Sequence, residues 1–574
     1  MTHHHGHDHD GHTHDHDHGH HHHDLSGDDL IATDLSISDS DLNPTQAGRR
    51  NFLRAAGVLG AGAAIAPLVD TNAAATAAVD VHSRGNGRHG RVTWLAGDHH
   101  IHTQFSSDGL YRVFDQARHA DAYGLDWIVI TDHSSNAHVK IGADKVNPEI
   151  RDARRRLDDL LIFQGLEWNI PGAEHGTVFV HPGRNELSVL KTFEADYDGS
   201  LNGATGNSPA NEELAKKGLT FLAKSVSDRR VQDALFLANH PARRGIDSPH
   251  EVRGWRDAAP KIAVGWEGAP GHQAAGIPKA QLGPGGARGA YGNSPSADSF
   301  PGYVAESYRT WGGFDYYSAT VGGLWDSLLA EGKPWWISAN SDSHSNYLDT
   351  AVRGAGSDFN TNGQYNDPEY SGAPNTNAAD FWPGFYSRTH VGARGDDYAS
   401  VMAGIRSGNV WVDHGGLLES LDVRVSTRGN SAGLGGIITA RRGERATLTV
   451  TIVPAQLPNW ATFVPKLAKV DIIKGLVTGP AADRDTLSTP HTRVVRSYDV
   501  TGKTDTIKIT YDLGRVEDKG FYVRLRGSDG KRTQTGYFGA AIDPAGPALD
   551  VVGDADPWKD LWFYTNPIFV LPRK

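Results

Sequence analysis

Short apolar runs recur along residues 91–414 of this sequence, and polar residues follow most of them. Apolar runs of about four to eight residues are typical of buried strands, whereas apolar residues at every third or fourth position predict helices. The two patterns alternate here, which favours an α/β fold around a parallel sheet. Strands are predicted at residues 91–96, 127–130, 161–167, 177–180, 234–241, 262–267, 335–344 and 410–414. Helices are predicted at residues 111–122, 148–157, 324–331 and 400–407.

The first apolar run leads into His99-His100-Ile101-His102, and Asp108 follows in the next turn. Alternate residues of a strand lie on one face, so His100 and His102 should point the same way. Several later runs also end in histidine or a carboxylate. In barrels built from alternating strands and helices, the catalytic residues lie at the carboxyl ends of the strands. Imidazole nitrogen and carboxylate oxygen are suitable ligands for zinc, iron or manganese. The pattern therefore predicts a metal site at one edge of the sheet.

The polar strand ends form an ordered series of motifs. They are His100-Ile101-His102 with Asp108, Asp132-His133, Glu167, His175, Asn239-His240-Pro241 and Ser341-Asp342-Ser343-His344. This series resembles the motifs of the PHP (polymerase and histidinol phosphatase) family over residues 97–344. The resemblance implies a distorted (β/α)7 barrel that holds two or three divalent ions (Zn, Mn or Fe), with Glu167 bridging two of them. The ligands that it implies are His100, His102, Asp108, His133, Glu167, His175, His240, Asp342 and His344.

His181 is an alternative to His175 as the sixth ligand, because one histidine opens the predicted strand and the other follows it. The Glu-His-Gly context of His175 fits the family better. Asp98 and Asp132 stand beside expected ligands. They would either accept hydrogen bonds from imidazole N–H groups or hold turns through backbone N–H groups.

The resemblance implies an exported metal-dependent hydrolase, and we expect a phosphoesterase that acts on a small molecule. Two cations that share a bridging water lower its pKa toward neutrality, which provides the attacking hydroxide. The expected catalytic residues are Glu167, Asp108 and His240, and the expected substrate-binding residues are Arg243, Arg244 and His272. A guanidinium after the Asn-His-Pro motif could bind a phosphate or carboxylate. Hydrolysis of a carbamate or carboxylic ester on the same site is one alternative, and a metal store or carrier is another.

Two long stretches, residues 271–313 and 346–395, are rich in Gly, Asn, Pro and aromatic residues and mostly lack periodicity. Loops of this length in a compact domain are usually functional or disordered. Both follow strand ends that should face the metals, so we expect them to wall a substrate cleft. Seven aromatic residues of these stretches would either line this cleft or only pack against the barrel. They are Tyr308, Trp311, Phe314, Tyr316, Tyr317, Trp382 and Phe385.

Residues 417–574 change to many short alternating segments separated by Gly, Asp and Asn turns, which is typical of a β-sandwich. No cluster of potential ligands occurs in this part of the sequence. The aromatic stretch 558–568 resembles the tail of exported, carbaryl-hydrolase-like PHP proteins, and it should dock near the barrel.

The first 77 residues have a different composition from the rest. Residues 3–23 contain thirteen histidines, and a tract of this kind should be disordered, either binding divalent metal loosely or acting as a charged tail. Arg49-Arg50 precedes an apolar run and small residues, in the order of a twin-arginine export signal. The predicted division is a leader at 1–48, a signal peptide at 49–77, the PHP barrel at 78–416 and the β-sandwich at 417–574.

Composition limits the partners and the location of the protein. The 574 residues carry a net charge of −12 without a basic tract, which argues against nucleic acid as the main partner. There is no cysteine, so thiolate metal sites and disulfides are excluded. The apolar run after Arg50 is too short for a permanent membrane span. We expect the twin-arginine machinery to export the protein to a secreted, periplasmic or cell-wall location.

Overall fold

The computed structural model describes residues 92–289 and 294–573, and all of these belong to one compact unit. The predicted leader and export signal, at residues 1–77, lie outside the described residues. Within the described part, no helix has both the length and the apolar character that a membrane crossing requires.

The region that carries the predicted ligands alternates strands and helices, as the sequence pattern indicates. Its strands are β1 (Thr93–Asp98), β2 (Trp127–Ile130), β3 (Leu161–Asn169), β4 (His175–Val180), β5 (Ala234–Ala238), β6 (Ala263–Ala269), β7 (Trp336–Ala339), β8 (Ala351–Val352), β9 (Glu369–Tyr370), β10 (Ser387–Ala393) and β11 (Val410–His414). Its α-helices are α1 (Val113–Ala122), α2 (Ala143–Arg156), α3 (Glu186–Tyr197), α4 (Pro209–Ser227), α5 (Pro249–Ala258), α6 (Tyr316–Ala319), α7 (Leu324–Ala330), α8 (Phe359–Asn362) and α9 (Tyr398–Ser407).

The sheet is mixed rather than parallel, which corrects the sequence prediction. Strand β4 runs antiparallel to both β3 and β5, with Gly165 opposite Phe179 and Val178 opposite Phe236. Strands β1 and β10 are also antiparallel. Hydrophobic periodicity does not encode strand direction, and the short connection between β3 and β4 leaves no room for the crossover that a parallel pair needs.

The sheet is not closed into a seven-stranded barrel, which is a second correction. The backbone ladder runs β11-β10-β1-β2-β3-β4-β5-β6-β7 and, within the described residues, ends at β7. The side chain of Thr389 on β10 bridges the remaining gap, because its hydroxyl accepts from the Ala339 amide at 2.9 Å and lies 2.8 Å from the Ala339 carbonyl oxygen. A side chain therefore takes the place of a backbone ladder at the seam.

The C-terminal part of the chain is rich in strands, as predicted. They are β12 (Leu418–Ser426), β13 (Ser431–Ala432), β14 (Ile437–Ala440), β15 (Arg445–Pro454), β16 (Lys469–Leu476), β17 (Thr492–Asp499), β18 (Ile507–Arg515), β19 (Phe521–Ser528), β20 (Thr533–Gln534), β21 (Gly546–Pro547), β22 (Trp562–Thr565) and β23 (Ile568–Pro572). Strand β22 pairs with β11, so the sheet that carries the predicted ligands continues into this region. A separate sheet has the order β13-β12-β15-β18. Both sheets contribute to one apolar cluster, for example through Val450 and Leu525.

Candidate metal centre

The predicted ligands meet because the ends of neighbouring strands are tied together by backbone contacts. The segment after β1 passes between the ends of β2 and β7, since the Thr131 amide donates to Ile101 O at 2.8 Å and the His102 amide donates to Ser343 O at 3.0 Å. His240 and Asp342 follow β5 and β7 with positive φ angles of 31° and 49°. Such angles cost conformational energy in non-glycine residues and often occur at functional sites.

Glu167 is the centre of the cluster, and its carboxylate contacts five histidine rings. Oε1 lies 3.1 Å from His100 Nε2, 3.2 Å from His175 Nδ1 and 3.3 Å from His240 Nε2, while Oε2 lies 3.1 Å from His133 Nδ1 and 3.3 Å from His102 Nε2. Burial alone would raise the pKa of Glu167, but the imidazoles outweigh it and hold that pKa well below its usual range. The carboxylate is therefore ionised and central to the site.

Asp342 supplies a second buried carboxylate. Its Oδ1 lies 3.0 Å from His100 Nε2 and 3.0 Å from His102 Nε2, and these two nitrogens are only 3.1 Å apart. His100 Nε2 and His102 Nε2 face each other and the same oxygen of Asp342. Protons on both nitrogens would therefore repel each other. A divalent cation satisfies these donors together, so the residues fit a metal.

Asp108 forms the outer end of the cluster. Its Oδ2 lies 3.2 Å from His133 Nε2 and 3.5 Å from His344 Nε2, and the ring of His344 stacks on that of His102 with a centroid distance of 3.9 Å. The Asp108 side chain is 47% exposed, whereas that of Glu167 is 1% exposed. Solvent therefore reaches the cluster from the Asp108 side.

Four groups of His, Asp and Glu residues place one ligand atom each within 4.8 Å of one another. They are His102 with Asp108, His133 and His344; His100 with His102 and Asp342; His133 with Glu167 and His175; and His272 with Asp342 and His344. The groups include eight of the nine predicted ligands, and the ninth, His240, contacts Glu167. They also include His272, which the sequence analysis assigned to the substrate.

Glu267 and Asp380 support the cluster from outside. Glu267 Oε1 lies 2.7 Å from His100 Nδ1, and its Oε2 accepts from the His240 amide at 2.8 Å. Asp380 Oδ1 lies 3.0 Å from His272 Nδ1, and its Oδ2 accepts from the His344 amide at 2.8 Å. Such outer carboxylates fix the orientation of ligand rings. Glu267 ends a predicted strand, but the sequence gives no signal for Asp380, which lies within the long stretch 346–395.

Asp98 and Asp132 hold turns, and among residues 92–289 and 294–573 neither carboxylate accepts a hydrogen bond from an imidazole N–H. Asp98 accepts from the amides of His100 and Ser341, each at 2.9 Å. Asp132 accepts from the Thr103 amide at 2.6 Å and from its hydroxyl at 2.9 Å. Of the two interpretations of these residues, the structure shows the second. Both carboxylates are buried and stabilise the backbone next to the ligands.

The structure separates His175 from His181. The His175 ring contacts Glu167 and lies 5.0 Å from the His133 ring, measured between centroids. His181 points away, with its Nδ1 2.8 Å from the Pro182 carbonyl oxygen and its ring 6.0 Å from that of Tyr398. His175 is the first residue of β4, whereas His181 follows the last residue of the strand, Val180, at the opposite end.

The two candidate anion-binding arginines differ in position. Arg243 Nη2 lies 2.8 Å from Glu174 Oε2, and its side chain lines a pocket beside His240. Arg244 is exposed and does not line that pocket, while its carbonyl oxygen accepts from the Ser299 hydroxyl at 2.6 Å. Arg244 thus lies outside this pocket, and its role in substrate binding stays a prediction. Burial and the nearby Arg243 charge lower the pKa of His240 to about 3, which keeps this ring neutral.

Most of the aromatic residues expected in the cleft pack elsewhere. Trp311, Phe314 and Tyr317 belong to the main apolar core. Trp382 stacks on His119 with a centroid distance of 3.6 Å, and Phe385 packs against other aromatic rings. Tyr308 lines the pocket beside His240. Packing is therefore the main role of these residues, as in the alternative interpretation.

Residues 98–248 match the family model of the PHP domain. This segment contains seven of the nine predicted ligands, all except Asp342 and His344. The matched domain and the ligand groups support a metal-dependent hydrolase.

Among solved structures, this chain is similar to a two-domain protein from Bacteroides vulgatus that contains a predicted PHP-like metal-dependent phosphoesterase. The two share 14% sequence identity, with a TM-score of 0.26, over 76% of this chain and 90% of the other chain. No match was found among curated proteins.

Proposed function

We propose that this protein is a metal-dependent phosphoesterase of the PHP type. The observation that carries the proposal is the Glu167 carboxylate, which is buried and contacts five imidazole nitrogens at 3.1–3.3 Å. A single carboxylate among so many nitrogen donors is suited to join two cations. We assign two or three divalent ions, of Zn, Mn or Fe, to the four ligand groups.

Divalent ions at such a site activate a water molecule and compensate the charge that develops during phosphoryl transfer. The chain's own residues prepare the site. Glu267 fixes the ring of His100, and Asp380 fixes the backbone of His344. Their carboxylates also accept N–H groups that would otherwise be buried without partners. The ligands are thus held in place before a substrate arrives.

A phosphoester is favoured over a neutral ester because a cation faces the pocket beside the metal centre. Arg243 lines the pocket together with His240, and its guanidinium can orient a phosphate oxygen. Glu174, the partner of Arg243, is buried and restrains the guanidinium. In this proposal Arg243 binds and orients the substrate, while Glu167, Asp108 and the histidines hold the metals.

The test compares esters with one leaving group: p-nitrophenyl phosphate, p-nitrophenyl acetate and p-nitrophenyl N-methylcarbamate. We expect the full-length protein to cleave the phosphate best, and Glu167→Gln to abolish this activity. The matched control is Glu213→Gln, which removes a carboxylate from the exposed face of α4. Preferred cleavage of the acetate or carbamate would contradict the phosphoesterase proposal and favour the carboxylic ester or carbamate alternative. Metal binding without turnover of any ester would favour the metal carrier.

We also propose that the protein is exported through the twin-arginine pathway. Support comes from the sequence alone, where Arg49-Arg50, an apolar run and small residues occur in order. The domain division at residues 48, 77 and 416 belongs to the same proposal. An export route for folded proteins would allow the metals to be inserted before transport.

A further inference from the structure

His272 is a largely buried histidine that is not among the ligands implied by the family resemblance. It lies outside residues 98–248, which match the PHP domain, and follows strand β6 at the start of the long stretch 271–313. Its ring nevertheless reaches the metal centre, because Nε2 lies 3.4 Å from Asp342 Oδ2 and the ring centroid lies 5.8 Å from that of His344. These three residues form one of the four ligand groups.

The backbone before His272 allows this ring to come close to Asp342. A Cβ at Gly271 would collide with the side chain of Asp342 and with the carbonyl oxygen of Ser341. Glycine is therefore required for the close approach of the two segments. His272 itself has a φ of 55°, in the left-handed region that costs conformational energy for a residue with a Cβ. Residues with such strain cluster at active sites and in ligand-binding segments.

Asp380 fixes the orientation of the His272 ring. Its Oδ1 lies 3.0 Å from His272 Nδ1, so the other ring nitrogen, Nε2, is directed toward Asp342. The Asp380 side chain is itself buried, and its second oxygen accepts from the His344 amide at 2.8 Å. A carboxylate behind one ring nitrogen is the usual arrangement of a metal-binding histidine, because it fixes both the tautomer and the direction of the ligand atom. The contact with Asp380 thus presents Nε2 as the ligand atom.

The two oxygens of Asp342 face different nitrogen donors. Oδ1 lies 3.0 Å from Nε2 of both His100 and His102, whereas Oδ2 faces His272 Nε2. A carboxylate can bind a different cation through each of its oxygens, which is also the role proposed for Glu167. His272 and Asp342 therefore offer a nitrogen and an oxygen to a cation beside the group that contains His100 and His102.

We propose that His272 is a metal ligand, which binds through Nε2 an ion that it shares with Asp342 and His344. Imidazole nitrogen and carboxylate oxygen together suit Zn, Mn or Fe. This inference rests on the proposed metal-dependent function and extends its ligand set beyond the residues of the family motifs. In it, the segment after β6 holds metal, whereas the sequence analysis expected His272 to bind the substrate.

The test counts the ions that the full-length protein retains after it is freed of metal, loaded with Co²⁺ and dialysed. His272→Asn is the main variant, because Asn tolerates a positive φ and can still donate toward Asp380 but lacks Nε2. We expect it to retain about one Co²⁺ fewer per chain than the wild type. The visible absorption of the remaining Co²⁺, which depends on its ligands, should also change. His272→Gly, which likewise favours a positive φ, should show the same loss.

The matched control is His491→Asn, which removes an exposed histidine that belongs to none of the four ligand groups. It should retain as many ions as the wild type. The His-rich residues 3–23 are present in every protein compared, so their contribution cancels in the differences.

Two results would overturn the inference and can be told apart. If both His272 variants retain as many ions as the wild type with an unchanged spectrum, His272 is not a ligand, although the metal centre stands. A raised KM for p-nitrophenyl phosphate would then assign His272 to the substrate, and an unchanged KM would make it a structural link between Asp342 and Asp380. If Glu167→Gln also retains as many ions as the wild type, the proposed metal centre itself is wrong, and this inference falls with it.

Discussion

His133 and Glu167 are held together by both their main chains and their side chains. Their backbones form a parallel bridge between the segment after β2 and Glu167 within β3, and His133 Nδ1 lies 3.1 Å from Glu167 Oε2. The Ser134 amide also donates to Glu167 O at 3.3 Å. Two ligands fixed by one ladder cannot move apart without breaking backbone hydrogen bonds. The position of the metal centre therefore follows from strand pairing, and a flexible loop is not needed to assemble it.

Replacing Glu267 with Gln tests the role of the carboxylates behind the ligands. Glu267 lies 2.7 Å from His100 Nδ1, and Gln removes the charge that favours the ligating orientation of this ring. We expect metal affinity to fall by roughly 10–100-fold, as for other outer-shell partners of metal-binding histidines. Metal titration monitored by activity and by calorimetry measures the change. An unchanged affinity, equal to that of Glu213→Gln, would show that Glu267 is only a packing residue.

Replacing Arg243 with Gln tests the binding of the scissile phosphate. Loss of one charge-assisted contact should lower kcat/KM for a phosphoester by roughly ten- to a hundredfold, equivalent to about 1.5–3 kcal/mol, without loss of metals. A neutral ester should be hydrolysed almost as well as by the wild type. Since Arg243→Gln leaves Glu174 buried without its cation, the double variant with Glu174→Gln is the control for destabilisation. Equal losses on charged and neutral esters would exclude anion binding.

Arg524 and Asp326 join the C-terminal strands to α7 through a fully buried ion pair. Arg524 Nε and Nη2 lie 3.0 and 2.8 Å from the two oxygens of Asp326. Arg524→Met should destabilise the protein by about 3–5 kcal/mol, because it leaves a buried carboxylate without its cation. The double variant with Asp326→Asn should be less destabilised. Denaturant unfolding monitored by fluorescence measures both, and equal stability of wild type and Arg524→Met would contradict this coupling.

The sequence predicts the site better than it predicts the sheet around it. Each of His100, His133, Glu167 and His240 lies in or directly after an apolar run, so the strand pattern alone places them at one edge. Strand direction is different, because the apolar run of β4 reads the same in either direction. The hydrophobic pattern also does not predict that the sheet stays open between β7 and β10, since this depends on side-chain contacts at the seam.

Other features of the fold and the site cannot be predicted from the local sequence around them. Strand β10 lies inside a stretch rich in Gly, Asn and Pro, and its mixed polar composition gives it the appearance of a loop. Asp380 reaches the site from the same stretch, and its role depends on contacts with His272 and His344 that are distant in sequence. Arg243 can be distinguished from Arg244 only by the pocket that tertiary packing forms.

The export proposal predicts the fate of a precursor. Arg49→Lys combined with Arg50→Lys should trap the full-length precursor in the cytoplasm, because the twin-arginine pathway recognises the arginine pair. Fractionation followed by N-terminal sequencing should place the start of the exported wild-type protein near Ala78. Unchanged export of the double variant would mean that another route, or no export, applies.

The central claim is that Glu167 joins a multinuclear metal centre. The direct measurement is the number of divalent ions per chain, determined by elemental analysis of wild type and Glu167→Gln, each purified with the His-rich residues 3–23 present and treated identically. Because the leader contributes equally to both, the difference reports the centre alone. We predict at least two ions fewer per chain in Glu167→Gln, together with loss of turnover. Equal metal contents, or a difference of a single ion, would contradict the account.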